Sequence, residues 1–158
     1  MHILINYQIP QELILNRIKR LYNFSRPLKS IGEEILISTR ARFDQQIDPE
    51  GQPWKRNSAA TIIAYAKEKA GRRFYTKKSK VSKLGRRLLA KKKILIWDGY
   101  LKGLLYYQNN NNSLKIGSNL VYSRVHQFGT ATIPKRAFLG ITAADKVKII
   151  DIITNYLT

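Results

Sequence analysis

Leu101-Lys102-Gly103-Leu104-Leu105-Tyr106-Tyr107, Asn109-Asn110-Asn111-Asn112 and Leu114-Lys115-Ile116-Gly117 follow one another in the second half of this chain. The first segment is apolar and aromatic enough for a strand. The asparagine run must turn, and Leu114 to Gly117 with Asn119 to Tyr122 supplies the return. The reading is a β-hairpin with a long, solvated, Asn-rich tip. Just upstream, Ile94-Leu95-Ile96-Trp97 is a short apolar run closed by Asp98-Gly99, a common turn pair. Helical periods lie on both sides of this region, so the hairpin sets the class as α+β. The expected order is N-terminal helices, a small antiparallel β-sheet or partial barrel, and a C-terminal helix.

Toward the N-terminus, Leu13, Ile14, Ile18, Leu21 and Tyr22 recur at three- and four-residue spacing and predict an amphipathic helix. Residues 23–27 interrupt it. Ser30 and Glu33 then fit a capping box, and Ile31, Ile35, Thr39, Phe43 and Ile47 share a face, predicting a helix over about 28–46. Asp48-Pro49-Glu50-Gly51 is a strong turn signal that ends it. Trp54 follows as a core plug anchoring the loop to the helix, since a large aromatic buries more area than any other residue type. Residues 58–70 are again helical in pattern, with Ser58 as the cap and Ile62, Ile63, Tyr65 and Ala66 as the apolar set. Beyond Gly71 the period fades, apart from a turn around Leu84 to Leu89.

Toward the C-terminus, Tyr122, Val125 and His126 share a face in a helical turn, and Gly129 lets the chain reverse. Pro134 fixes an extended approach to Phe138 and Leu139, two anchors expected to bury against the sheet. Thr142 and Asp145 form a second capping-box-like start. Val147, Ile149, Ile150, Ile153, Tyr156 and Leu157 give the last helix a wide apolar face.

A chain of 158 residues with 44% hydrophobic content supports one globular domain with a sizeable core. Residues 1–158 are therefore read as one domain, with 71–93 as a basic, flexible insertion. No apolar run is long enough to span a bilayer, and the first six residues lack the pattern of a secretory signal. The absence of cysteine excludes disulfides and thiolate chemistry. Lys plus Arg number 29 against 10 acids, a net charge of +19. Such an excess attracts polyanions. It is uneven: residues 67–93 hold 13 of the 29 basic residues and a single acid, Glu68. That run reads either as a solvated basic loop or as a contact for DNA or an acidic partner surface, with Arg72, Arg73, Lys77, Lys78, Lys80, Lys83, Arg86 and Arg87 as the contacting side chains. Binding through it would be strongly salt-dependent, and Phe74 and Tyr75 beside the charges offer rings for base stacking.

The chemistry of catalysis is thin. The histidines are His2 and His126, and a Ser-His-Asp arrangement would rest on His126 alone, with no nucleophile elbow beside it. A structural histidine bonded to a nearby carbonyl fits better. No carboxylate pair has metal or nuclease spacing, and Gly99, Gly103 and Gly117 do not form a phosphate-binding loop. The expectation is a non-enzyme without cofactor or metal.

Two stretches remain: Asp48-Pro49-Glu50-Gly51-Gln52-Pro53-Trp54, and Tyr122-Ser123-Arg124-Val125-His126-Gln127-Phe128-Gly129 with Ile133-Pro134-Lys135-Arg136-Ala137-Phe138-Leu139-Gly140. Both combine turn formers with large apolar anchors. Taken in order with Phe43, Thr61, Ile94-Leu95, Gly99, Leu101 and Ile116-Gly117, they resemble the phage virion morphogenesis family, the Mu-like tail completion proteins. The resemblance runs from about Ile31 to the C-terminus. Asp98 stands where the family commonly has a small hydroxyl residue, Ala137 where it has proline, and the basic insertion between Ala70 and Ile94 is denser than usual.

The resemblance implies a structural job in tail completion or head–tail joining, by a subunit that forms a homo-oligomeric ring. Its partners would be other phage tail or head-connector proteins, in the host cytoplasm and then in the virion, with non-specific DNA contact and no membrane. Phe43, Asp48, Pro49, Gly51, Trp54, Gly99, Leu101, Tyr122, His126, Gln127, Gly129, Pro134, Phe138, Leu139 and Gly140 are the structural motif residues carried over. The alternative is a basic nucleic-acid-binding protein working through residues 67–93.

Overall fold

The structure is a computed structural model and describes residues 18, 19 and 21–158. Most of the first expected helix lies outside the described residues; Ile18, Lys19, Leu21 and Tyr22 of it are helical. Helix α1 runs from Ser25–Gln45 and buries Ile31, Ile35, Thr39 and Phe43, the row expected from their spacing. It starts earlier than the Ser30–Glu33 capping box would place it. Pro27 is the reason, because in a first turn its missing N–H has no partner to lose. Asn23 Oδ1 accepts the Ser25 amide at 3.1 Å instead, and Glu33 accepts the Tyr107 hydroxyl at 3.1 Å.

Helix α2, Ala59–Ala70, has Ser58 as its N-cap, accepting the Thr61 amide at 3.2 Å. A 3-10 turn, Gly71–Phe74, follows, then helix α3, Lys83–Lys91, whose cap Ser82 accepts the Gly85 amide at 3.0 Å. The basic segment therefore holds its own helix where the sequence suggested one turn. Its apolar residues are few but well placed. Phe74 (3% exposed) packs with Ala66 and Ala70 and is covered by Val81, Leu84, Leu88 and Leu89. This small lobe has a core separate from the main one.

The strand expected from Leu101 begins later. Gly99 sits at φ 87° and releases a single helical turn, α4, Tyr100–Gly103, before β1, Leu105–Asn109. Strand β2, Leu114–Ser118, pairs antiparallel with β1 in the register Leu105–Ser118 to Asn109–Leu114. Asn110 Oδ1 accepts from Asn112 and Ser113 and ties the tip. Among the described residues the sheet has two strands, so it is a hairpin and not a partial barrel. The hairpin lies on α1, where a Cβ at Gly32 would stand 2.7 Å from the Tyr107 ring. Helix α5, Val121–Phe128, takes the residues offered as the end of the return strand. Helix α6, Ala143–Leu157, starts at the capping box of Thr142 and Asp145 and packs on α1. Six helices and one hairpin among the described residues make the fold α+β.

Candidate functional site

The two turn-rich stretches, about eighty residues apart in sequence, meet at the end of α1. Helix α1 closes on Gln46 in the left-handed region (φ 59°), and Asp48 then folds the turn on itself. Its amide donates to Gln52 O and its Oδ1 accepts the Gln52 amide, both at 2.8 Å, with Gly51 at φ 83°. The turn delivers Trp54, 5% exposed, edge-on to Phe43 at 5.3 Å between centroids. Trp54 Nε1 donates to Ala137 O at 2.8 Å. Phe138, fully buried, meets Phe43 of α1 at 5.5 Å, in a cluster that also contains Leu101 of α4 and Leu105 of β1, so this anchor is buried between α1 and the hairpin. Gly140 passes so near Pro49 that a Cβ there would lie 2.5 Å from its ring.

Arg42 binds this junction from below. Its guanidinium donates to Phe138 O (3.2 Å), Gly140 O (3.0 Å), Thr39 Oγ1 (2.7 Å), Ser38 Oγ (3.2 Å) and Asp145 Oδ2 (3.4 Å). Burial pulls the guanidinium below its ordinary value, and Asp145 opposes that pull. Burial pushes Asp145 the other way, yet the amide and hydroxyl of Thr142, the Ser38 hydroxyl and Arg42 together hold its carboxyl below the usual carboxylate range.

Gln127 fixes the other side. Its Oε1 accepts the amides of Phe138 and Leu139, both at 3.0 Å, and its Nε2 donates to Leu139 O at 2.9 Å. The side chain pairs with the loop as a neighbouring strand would. Gly129 adopts φ 78°, and a Cβ there would lie 2.8 Å from the Lys135 amide. The His126 carbonyl accepts the Arg136 amide at 2.8 Å. The ring itself does not make the expected carbonyl bond through Nδ1, which is buried without a partner. Burial first, and Arg136 second, keep His126 below its ordinary value and hence neutral near pH 7.

A hollow of about 720 Å³ opens beside this junction. Arg136 crosses its edge, donating to Lys55 O (2.8 Å) and Arg56 O (3.0 Å). Lys92 stands over the rings of Tyr65 (4.5 Å) and Trp97 (5.1 Å). Asp98 also lines the hollow but is paired with Lys69. Away from it, on the α2–α3 lobe, Arg72, Arg73, Lys77, Lys78, Lys80, Lys83, Arg86 and Arg87 are all exposed, and none has an acidic partner among the described residues. Phe74 is spent in the lobe core, edge-on to Tyr75, so of the two rings offered for stacking only Tyr75 is exposed.

A model of the phage virion morphogenesis family matches residues 10–158. The chain belongs to the phage virion morphogenesis family. No curated protein and no solved structure matches it. The match reaches further toward the N-terminus than the quoted motifs, and membership assigns the protein to the building of virions.

In this member of the family, Phe43, Pro49, Trp54, Gln127, Gly129, Phe138, Leu139 and Gly140 come together at the junction. Leu101 joins the same core, while Gly99, Tyr122, His126 and Pro134 line the hollow next to it. Sequence reading missed Arg42, Gln46 and Arg136. Gln46 Oε1 accepts the Ile94 amide at 2.9 Å and so holds the segment after α3. Arg42 had a signal: a cation one residue from Phe43 and three from Thr39 sits on the buried side of α1 and needs internal partners. No helix among the described residues is long and apolar enough to cross a membrane, and no group of three metal-ligating side chains occurs among them.

Proposed function

We propose that the protein is a tail-completion or head–tail joining subunit that works by self-assembly into a ring and by docking, without turnover. The observation that carries this is the junction itself. Its motif residues are committed to backbone and ring contacts inside the molecule, so their task is to shape loops. The segments beside them display apolar side chains to solvent: Val121 and Phe128, at the two ends of α5, are 92% and 70% exposed, and Ile141, after the 138–140 loop, is 52% exposed. Exposed apolar side chains of this kind are available for association, and a ring needs two different faces that close by rotation. Mass measured by sedimentation over a concentration series tests the reading. A discrete oligomer that Phe128→Ser dissociates is expected. A strict monomer at high concentration that also fails to bind tail or head components would overturn it.

The basic lobe favours a second activity, non-specific DNA contact. Its free cations suit phosphates, which carry no sequence information. Neutralising Lys77, Lys78, Lys80, Lys83, Arg86 and Arg87 separates the two. DNA affinity lost with assembly intact supports contact with DNA; assembly lost with no DNA affinity in the parent protein assigns the lobe to an interface.

A further inference from the structure

We propose that the hollow between α2, α5 and the Ile133–Arg136 loop is a docking groove for an acidic, carboxylate-bearing peptide segment of another virion protein. This rests on the reading that the protein works by docking, and adds the chemistry of one partner. Arg136, Lys92, Lys55, Arg56 and neutral His126 line the groove, and Asp98, its carboxylate, is already engaged by Lys69. The first turn of α2, through Asn57, Ser58 and Thr61, borders it as well, adding the positive end of a helix dipole. Arg136 is the buried cation of the set and has no acidic partner among the described residues. Lys55 and Arg56 are exposed at the groove, and Lys92 feels Asp98. A guanidinium held in this way suits an incoming carboxylate.

Most described carboxylates are already engaged, which favours an anion supplied by a partner. Among the described carboxylates only Glu50 and Asp151 lack a partner there. A second copy would bring a net charge of +19 against the same surface. The walls decide between peptide and nucleic acid. Leu95, Trp97, Pro134 and Tyr122 present apolar surface beside the cations. A volume of about 720 Å³ suits a few side chains in a concave site. The rings are poor platforms for bases. Trp97 has Lys92 over its face, Tyr65 edge-on to it and Glu68 on its N–H at 3.0 Å, while Tyr122 meets the His126 ring. A rigid duplex cannot enter such a hollow.

Fluorescence anisotropy with a labelled ten-residue peptide of alternating glutamate and leucine tests the groove. The same peptide with glutamine for glutamate, a DNA duplex and an oligothymidine serve as comparisons. The Arg56→Glu, Lys92→Met double variant should weaken the acidic peptide by about tenfold or more, the scale of one lost charged hydrogen bond. The charge-matched Lys77→Glu, Lys78→Met variant on the other lobe should change it by less than about twofold. Arg56→Glu alone, at an exposed side chain, serves if the Lys92 substitution disturbs folding. Equal weakening by both double variants overturns the proposal, as does equal binding of the glutamine peptide. Displacement of the peptide by oligothymidine with the same dependence on Arg56 and Lys92 overturns it in favour of nucleic acid. A protein that forms oligomers yet ignores the peptide loses the groove and keeps the assembly reading.

Discussion

Arg42 is the residue on which the junction turns. It reaches two carbonyls of the 138–140 loop, two hydroxyls of its own helix and Asp145 at the head of α6, so three segments share one buried cation. Removing it takes the counter-charge from buried Asp145, which keeps the Thr142 amide, and the guanidinium donor from two carbonyls. Arg42→Ala should therefore cost about 3–5 kcal/mol in urea unfolding. The Asp145 carboxyl takes a proton less readily in the folded than in the unfolded chain. Its contribution is full above about pH 4 and is lost as pH falls through the lower folded value. In Asp145→Asn, stability should be lower at pH 7 and flatter with pH in that acid range. His126 depends on acid in the same direction but at higher pH, since its value is also lowered in the folded state. The folded state keeps the ring neutral, so protonation of the unfolded chain lowers stability as pH drops below about 6.5. His126→Leu should be neutral or stabilising at pH 5, because it also removes a buried nitrogen without a partner. A loss of stability at pH 5 would show that the ring makes a contact of value there.

At the scale of elements, what the sequence revealed depended on how local the cause was. The Ser58 cap, the Thr142–Asp145 capping box and the Ile31–Phe43 row rest on residues within a turn or two of one another, and each stands where its spacing put it. The start of α1 did not, because a proline in the first turn was taken for a break. The strand from Leu101 was shortened by Gly99, whose left-handed backbone allows a helical turn that no pattern of apolar residues announces. Helix α3 was hidden by its charge: Leu84, Leu88 and Leu89 find a core only because Phe74 and Ala70 are brought to them by a turn. Gly85 makes that approach close, since a Cβ there would lie 2.8 Å from Val81 and 2.9 Å from Phe74 O. Gly85→Val should cost about 1–3 kcal/mol. In hydrogen exchange the α2–α3 lobe should open faster, while α1 keeps its protection. Uniform loss of protection would mean that the two cores unfold as one.

For the whole molecule, the organising fact is a division of labour between inside and outside. The motif residues that identify the family are mostly turned inward, binding the 48–54 turn to the 127–140 segment across α1. The surface left over is basic on the α2–α3 lobe and apolar at Phe128, Ile141 and Val121. This explains why the candidate site was legible as a set of residues but not as an arrangement. Trp54, Gln127 and Phe138 stood out by type, whereas the hollow formed by Arg136, Lys92 and Trp97 depends on chain reversals that spacing does not encode. A net charge of +19 makes isolated copies repel one another unless an anionic partner offsets it. Electron microscopy of the purified protein mixed with phage tails tests this most directly. A closed ring of subunits seated on the particle is the expected image. Dispersed single copies beside unaltered tails, at any concentration, would contradict it.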